Sequence, residues 1–468
     1  MSGRRLARRA LPILWHAFVL ALLVAPLAGR RFVPAVDLPN HLAVVRVASD
    51  HLHGAWAEEL ELNLRPAYKP AWVLALAIYE LLPDALRPWY PAWFLAAVAA
   101  LFYGCALASL RILAGPGRAR LSEAALAGCI ALLFYSPAFY WGLLAYVAAV
   151  AVAVLAFACF ARWLGCGERR WLFAFYGATA AAHLTHPMIS AFLAVLVGVA
   201  AAVGMARARA RAGSIAAALA AWLPGIALLH RLSFAGGAGL DWRKTLASLG
   251  WPLQSVPEAW RFLLETFAAR PWLPNLVSGE LLVPRVALTA GLLLVAAGVC
   301  LALAWRRRRE VSLLAAVAGG CFAAFLLLRQ DLLALEGPVW AWYPVRFTPL
   351  ALTTVFLLLA AAILVLLREP ERPWLRAACI ALAVAIGVQA STSLRRHFRQ
   401  FDEAAAAHYA TGRKGRVDPT QRYRYDYHFS TYRCLFEPRC ETLRDLWFVR
   451  YPDLPIYLIS ATGRGPLP

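Results

Sequence analysis

AWVLALAIYELL, Ala71 to Leu82, decides how the rest of this chain is threaded. Its dozen residues are apolar enough to lie in lipid. At about 1.5 Å per residue, however, a helix of that length falls well short of a hydrocarbon core roughly 30 Å thick. It is expected to lie in the membrane interface, together with LPNHLAVVRVASDHL just before it. The arginines downstream agree with this reading. Arg111/Arg118/Arg120, Arg162/Arg169/Arg170, Arg207/Arg209/Arg211, Arg306 to Arg309 and Arg368/Arg372/Arg376 fall on one side of the membrane, the side of Arg4, Arg5, Arg8 and Arg9. If AWVLALAIYELL crossed, every later cluster would move to the other side, against the positive-inside rule.

Composition sets the class. The 468 residues are 62% hydrophobic and 16% charged, with mean hydropathy +0.60. A soluble chain has too little interior to hide that much apolar surface, and long apolar runs recur throughout, so a multi-span helical membrane protein is predicted. The net charge of +21 would suggest nucleic acid in a soluble protein. Here the arginines cluster between apolar runs, where they set orientation, and no nucleic-acid partner is expected.

Spans are predicted near 11–29, 91–112, 121–138, 142–162, 171–186, 187–206, 214–232, 284–305, 311–328, 346–367 and 374–392. The expectation is an all-α polytopic protein of about eleven transmembrane helices over residues 1–392. Interfacial helices occupy a first outer loop (30–90), a second long outer loop covers 233–283, and a small extracytoplasmic segment occupies 393–468. The N-terminus is placed in the cytoplasm and the C-terminus outside. The basic start and its apolar run are read as an uncleaved anchor, because the run is too long for a typical signal peptide.

The long outer loops place any chemistry outside, where water satisfies polar atoms. They are rich in Trp and Tyr, among them Tyr140 and Trp141, which suit either an interfacial belt or stacking on sugar rings and lipid. No Walker loop, GxGxxG or HExxH occurs, which disfavours nucleotide-driven chemistry. Of nine cysteines, seven lie in or beside apolar runs and read as small buried hydrophobes. Cys434 and Cys440 enclose five residues in the exported tail and are expected to form a disulfide. That tail is basic and aromatic, suited to anionic lipid or glycan.

Candidate chemistry begins at VDLPNHL, where the first span emerges. Asp37 either caps the helix starting near Pro39 or serves as a general base at the lipid–water boundary. Asn40 and His41 can hold that carboxylate, or an acceptor, by hydrogen bonds. His183 and His186, an i, i+3 pair broken by Pro187, suit a site lining better than a metal, since no carboxylate joins them. Lys69, Arg87, Arg329 and Arg346 stand on the outer face as membrane-flanking cations or as partners for a phosphate.

An outer acid after span one, YKPAW at 68–72, LRPWYPAW around Arg87, ASLRIL at Arg111 and LLFYSPAFYWGLLAYV at 132–147 resemble the GT-C superfamily of membrane glycosyltransferases. Within it the likeness is to the aminoarabinose-transferase and mannosyltransferase branch. HLTHP at 183–187 is similar to a feature of bacterial relatives that open on DxPNHL. The resemblance covers roughly the first 200 residues. It implies a bacterial inner-membrane enzyme that moves a sugar from a polyprenyl-phosphate-linked donor to a glycan, lipid or protein acceptor, with inversion. Asp37 would be the base, and the four cations would be candidates for the donor phosphate. Many such enzymes carry a second acid; here none adjoins Asp37, and the next outer turn reads WGLLAY. No cofactor is assigned, and a divalent metal stays open. Two alternatives accompany this reading: a transporter or flippase of lipid-linked glycans, disfavoured by spans nearly free of charge, and a non-catalytic assembly subunit.

Overall fold

The computed structural model describes residues 3–35, 38–55, 60–62, 69–115, 120–135, 139, 144–207, 209–233, 343–367, 373–410 and 456–458. Within them the chain is almost wholly helical. In order come α1 (Gly3–Val24), α2 (Leu38–Leu52), β1 (Leu60–Leu62), α3 (Lys69–Leu81), α4 (Tyr90–Ala114) and α5 (Arg120–Ala131). Next are α6 (Leu144–Cys166), α7 (Arg169–Thr185), α8 (Met188–Arg207), α9 (Ala212–Ser233), α10 (Tyr343–Leu367), α11 (Pro373–Ala410) and β2 (Ile456–Leu458). Short 3-10 turns precede α4 at Asp84–Trp89 and succeed α5 at Leu132–Tyr135.

Five helical stretches among the described residues are long and apolar enough to cross a membrane: Asp84–Ala114, Leu144–Cys166, Met188–Ala206, Ala212–Leu232 and Pro373–Ala407. The chain therefore has the build of a polytopic membrane protein. Helices α1, α5, α7 and α10 overlap four more of the expected spans but are not among those five, and the spans expected at 284–305 and 311–328 lie outside the described residues. Ala71–Leu82 falls on α3, a helix of 13 residues and about 20 Å. The boundary drawn at 392/393 falls inside a continuous helix, because α11 runs 38 residues without a break to Ala410.

α6 is the hub. It packs on α3, α4, α7, α8 and α10. Its buried positions include Ala148, Ala149, Ala151, Ala153, Ala156 and Ala158. Lipid supplies no hydrophobic drive for helices to associate, so small side chains that let backbones approach closely do that work. Polar fastenings hold the ends. Arg111 meets the buried carboxylate of Glu123 at 3.1 Å, tying α4 to α5. Arg211 donates to the carbonyls of Leu164 (2.9 Å) and Trp163 (3.2 Å) in the last turn of α6, where the Trp163 carbonyl also accepts from the Gly167 N–H at 2.8 Å. Gly167 turns the chain there at φ +75°, a conformation glycine takes without strain. The buried Tyr135 hydroxyl donates to the Leu23 carbonyl at 2.6 Å, closing the last turn of α1.

Beyond α1, the two distant ends of the chain come together. β1 pairs antiparallel with β2, Leu60 opposite Leu458 and Leu62 opposite Ile456. Leu394, Phe398, Phe401 and Ala405, a stripe at helical spacing on α11, are buried. Phe398 stacks on Phe139 at 6.0 Å and meets Tyr135 edge-on at 5.8 Å.

Candidate functional site at the platform after the first helix

α2 and α3 lie side by side and form a platform where α1 ends. They run in the same sense, since the ring of His41 meets Trp72 (centroids 5.2 Å) while His53 faces Glu80 (3.9 Å). α2 buries Leu38, Leu42, Val45 and Ala48, and Tyr79 of α3 is buried too. The hydroxyl of Tyr90 donates to the carbonyl of Ala75 at 2.8 Å and so anchors α3 to the start of α4.

The platform carries a compact charged group. Arg46, 8% exposed, places Nε 3.5 Å from the carboxylate of Asp50, one turn on. Arg87 lies with its guanidinium 5.2 Å from the centre of the Tyr79 ring and 2.8 Å from the exposed Asp84 carboxylate. Burial pushes the Asp50 carboxyl up, against the pull of Arg46, His53 and Arg87. Burial likewise raises the Tyr79 hydroxyl, with Arg46 and Arg87 opposing. Two cations, the Asp50 and Asp84 carboxylates and a phenol thus share one patch, with Glu80 acting on the same phenol.

Beside this patch an apolar groove of about 470 Å³ runs between the end of α1 and the start of α4. Val24, Leu27, Leu86, Trp89, Trp93 and Ala96 are among its walls. Leu86 and Trp89 belong to the same 3-10 turn as Arg87, so one turn faces both an apolar groove and the charged patch. One short turn thus joins an apolar concavity to a charged patch.

Of the expected site residues, Asp37 lies outside the described residues; it immediately precedes Leu38, the first residue of α2. Asn40 sits in the first turn of α2, Lys69 opens α3 and Arg346 falls in the first turn of α10, with only the backbone described for all three. Arg329, Tyr140, Trp141, Cys434 and Cys440 are also outside the described residues. His41 is on the platform, half-buried against Trp72, and burial pushes its imidazole down to about 4, so the ring is neutral near neutral pH.

His183 and His186 are placed at the corner from α7 to α8. Nδ1 of the buried His183 is 2.9 Å from the hydroxyl of Ser190, and its ring lies 5.6 Å from His230 of α9. His186 ends α7, its N–H donating to Ala182 at 2.9 Å and its ring edge-on to Tyr146 at 5.1 Å. Their described contacts fasten α6, α7, α8 and α9 to one another. Among the described residues no three His, Cys, Asp or Glu side chains gather as metal ligands would.

Arg46, Asp50 and Tyr79 were not singled out from the sequence. The i, i+4 pairing of Arg46 with Asp50 inside an otherwise apolar helical face was the available signal. Asp402, on the far end of α11, carried no local signal at all. Its Oδ1 accepts from the backbone N–H groups of Arg31 (3.0 Å) and Phe32 (2.7 Å), and its Oδ2 is 3.7 Å from the Arg30 guanidinium.

In comparisons with known proteins, no family model, curated protein or solved structure matched the chain.

Proposed function

We propose that the chain is a membrane glycosyltransferase. It moves a sugar from a polyprenyl-phosphate-linked donor to a glycan, lipid or protein acceptor at the outer side of a bacterial inner membrane. The observation that carries this reading is the single 3-10 turn Asp84–Trp89, which borders the apolar groove on one side and presents Arg87 to Arg46, Asp50 and Tyr79 on the other. The groove takes the isoprenoid chain, and the guanidinium groups take the phosphate, for which their planar donors are suited.

The chemistry then needs one base. The acceptor oxygen attacks the anomeric carbon while its proton passes to the Asp37 carboxylate. The bond from that carbon to the phosphate oxygen breaks, and its electron pair leaves with the polyprenyl phosphate. Attack opposite the leaving group inverts the configuration. A sugar alkoxide would have to be protonated as it leaves; a phosphate leaves as a stable anion and needs positive charge instead. Lys69, Arg329 and Arg346 are further candidates for that charge.

The same reading includes about eleven spans, a cytoplasmic N-terminus and an outer C-terminal segment. It is supported by the arginine clusters and by the meeting of residues 30–32 with Asp402. The test compares glycan product formed in membranes at matched protein levels. Asp37→Asn keeps shape and capping ability, and it should lose roughly a hundredfold or more in product while retaining donor lipid. Arg87→Ala should weaken donor retention. Near-normal product from Asp37→Asn would remove the base, leaving a carrier of lipid-linked glycan or an assembly subunit.

A further inference from the structure

We infer that Tyr79 is a positioning residue: from α3, the face of its ring holds the Arg87 guanidinium beside the groove, where it meets the phosphate of the donor. The inference rests on the reading of Arg87 given above. The turn that carries Arg87 has little hold of its own. None of the six residues of Asp84–Trp89 is buried, and no side-chain hydrogen bond caps the turn. A long cation on such a turn is free to swing away, and fixing it anew at each binding event costs rotamer entropy.

An acid and a ring hold the Arg87 guanidinium, and they are unequal. The Asp84 carboxylate is 2.8 Å away, but its side chain is 88% exposed and it belongs to the same turn. An exposed ion pair contributes little, and this carboxylate also repels a phosphate. Tyr79 comes from another element and is itself fixed. It is buried, and its ring stands edge-on to Tyr90, with centroids 5.0 Å apart and 80° between the planes. Tyr90 is fully buried, and its hydroxyl donates to the Ala75 carbonyl at 2.8 Å, one turn before Tyr79. The Tyr90 N–H donates to the carbonyl of Arg87. Tyr90 thus grips α3 with its side chain and the Arg87 backbone with its main chain. The Arg87 guanidinium closes the circuit, its Cζ 5.2 Å from the centre of the Tyr79 ring. The negative face of an aromatic ring attracts a cation. That attraction uses none of the guanidinium N–H donors, so the ring, unlike Asp84, leaves them for phosphate oxygens.

The experiment uses the full chain in lipid nanodiscs. The probe is a polyprenyl monophosphate, and the control is the corresponding polyprenol, the same chain without phosphate. Arg87→Ala should weaken binding of the phosphate roughly tenfold or more. Tyr79→Leu should weaken it roughly fivefold, while Tyr79→Phe, which keeps the ring face, stays within about twofold. In the Arg87→Ala background Tyr79→Leu should add less than about twofold, because both changes remove one interaction. Polyprenol should bind all the variants equally. If Tyr79→Leu does not insert, Tyr79→Met carries the same comparisons. A loss in Arg87→Ala with none in Tyr79→Leu overturns the inference alone. So does a loss in Tyr79→Phe as large as in Tyr79→Leu, an equal loss from Tyr79→Leu in both backgrounds, or a matching loss of polyprenol. Unchanged phosphate binding in Arg87→Ala overturns the reading of Arg87 itself, and the inference with it.

Discussion

Acidification should loosen the platform through His41. In the folded chain burial holds this imidazole near 4, against 6.5 for the free group, so the unfolded platform binds a proton that the folded one refuses. Stability is then fully present above pH 6.5 and falls as pH drops from there towards 4. Between pH 7 and pH 5 the loss is about 2 kcal/mol, a roughly twentyfold rise in opening. His41 is half-buried, and residual solvent screening brings the expected rise to between about fivefold and twentyfold. The assay is hydrogen exchange on the peptides of α2 and α3 at pH 7 and pH 5, corrected for the intrinsic pH dependence of amide exchange. His41→Phe keeps a ring against Trp72 and cannot be protonated, so it should flatten the response. An equal rise in His41→Phe, or no rise in the unmodified chain, would refute burial as the cause.

Tyr135→Phe leaves the Leu23 carbonyl without the donor that the structure provides, and should cost about 1 to 2 kcal/mol in equilibrium unfolding from detergent. Gly167→Ala demands φ +75° of a residue with a Cβ and sets that atom 3.2 Å from Arg211, so a loss of about 1 to 2 kcal/mol and a lower Tm are expected. Single-cysteine probes at the exposed Leu52 and at Thr411 should label from outside intact cells while one beside Arg307 does not; outside labelling near Arg307 would reverse the orientation. Cys434 and Cys440 should be found bridged by mass spectrometry without reductant, and two free thiols would exclude the disulfide.

The helical character of the chain was legible because the length and hydropathy of an apolar run are local properties. α2 over Leu38–Leu52 and α3 over Lys69–Leu81 stand where two short apolar stretches put them. The C-terminal helix extends past its expected end for an identifiable reason. RRHFRQFDE reads as the start of a polar segment, yet Leu394, Phe398, Phe401 and Ala405 keep a buried stripe at helical spacing right through it. Arg46 with Asp50 was readable in principle, as an i, i+4 pair, but its importance comes from Tyr79 and Arg87 arriving on other elements. Asp402 could not be found at all from its surroundings. Its partners are backbone N–H groups at the opposite end of the chain, which leave no mark in residue type. The strands Leu60–Leu62 and Ile456–Leu458 are too short for alternation to register.

The contact of Asp402 with Arg31 and Phe32 also bears on Ala71–Leu82. Two points of a chain can touch on one face of a membrane only if the chain crosses an even number of times between them. With the expected spans, ten crossings separate residue 35 from residue 402, and the contact is allowed. Were Ala71–Leu82 a further crossing, there would be eleven, and Asp402 would end on the face opposite Arg31. The pairing of Leu60–Leu62 with Ile456–Leu458 makes a related demand from the near side of the same stretch. It asks that the tail end on the face where the loop before α3 lies. Given the expected count of spans, the two long-range contacts and the arginine clusters agree on an even number of crossings after α3, the parity of an α3 that does not cross.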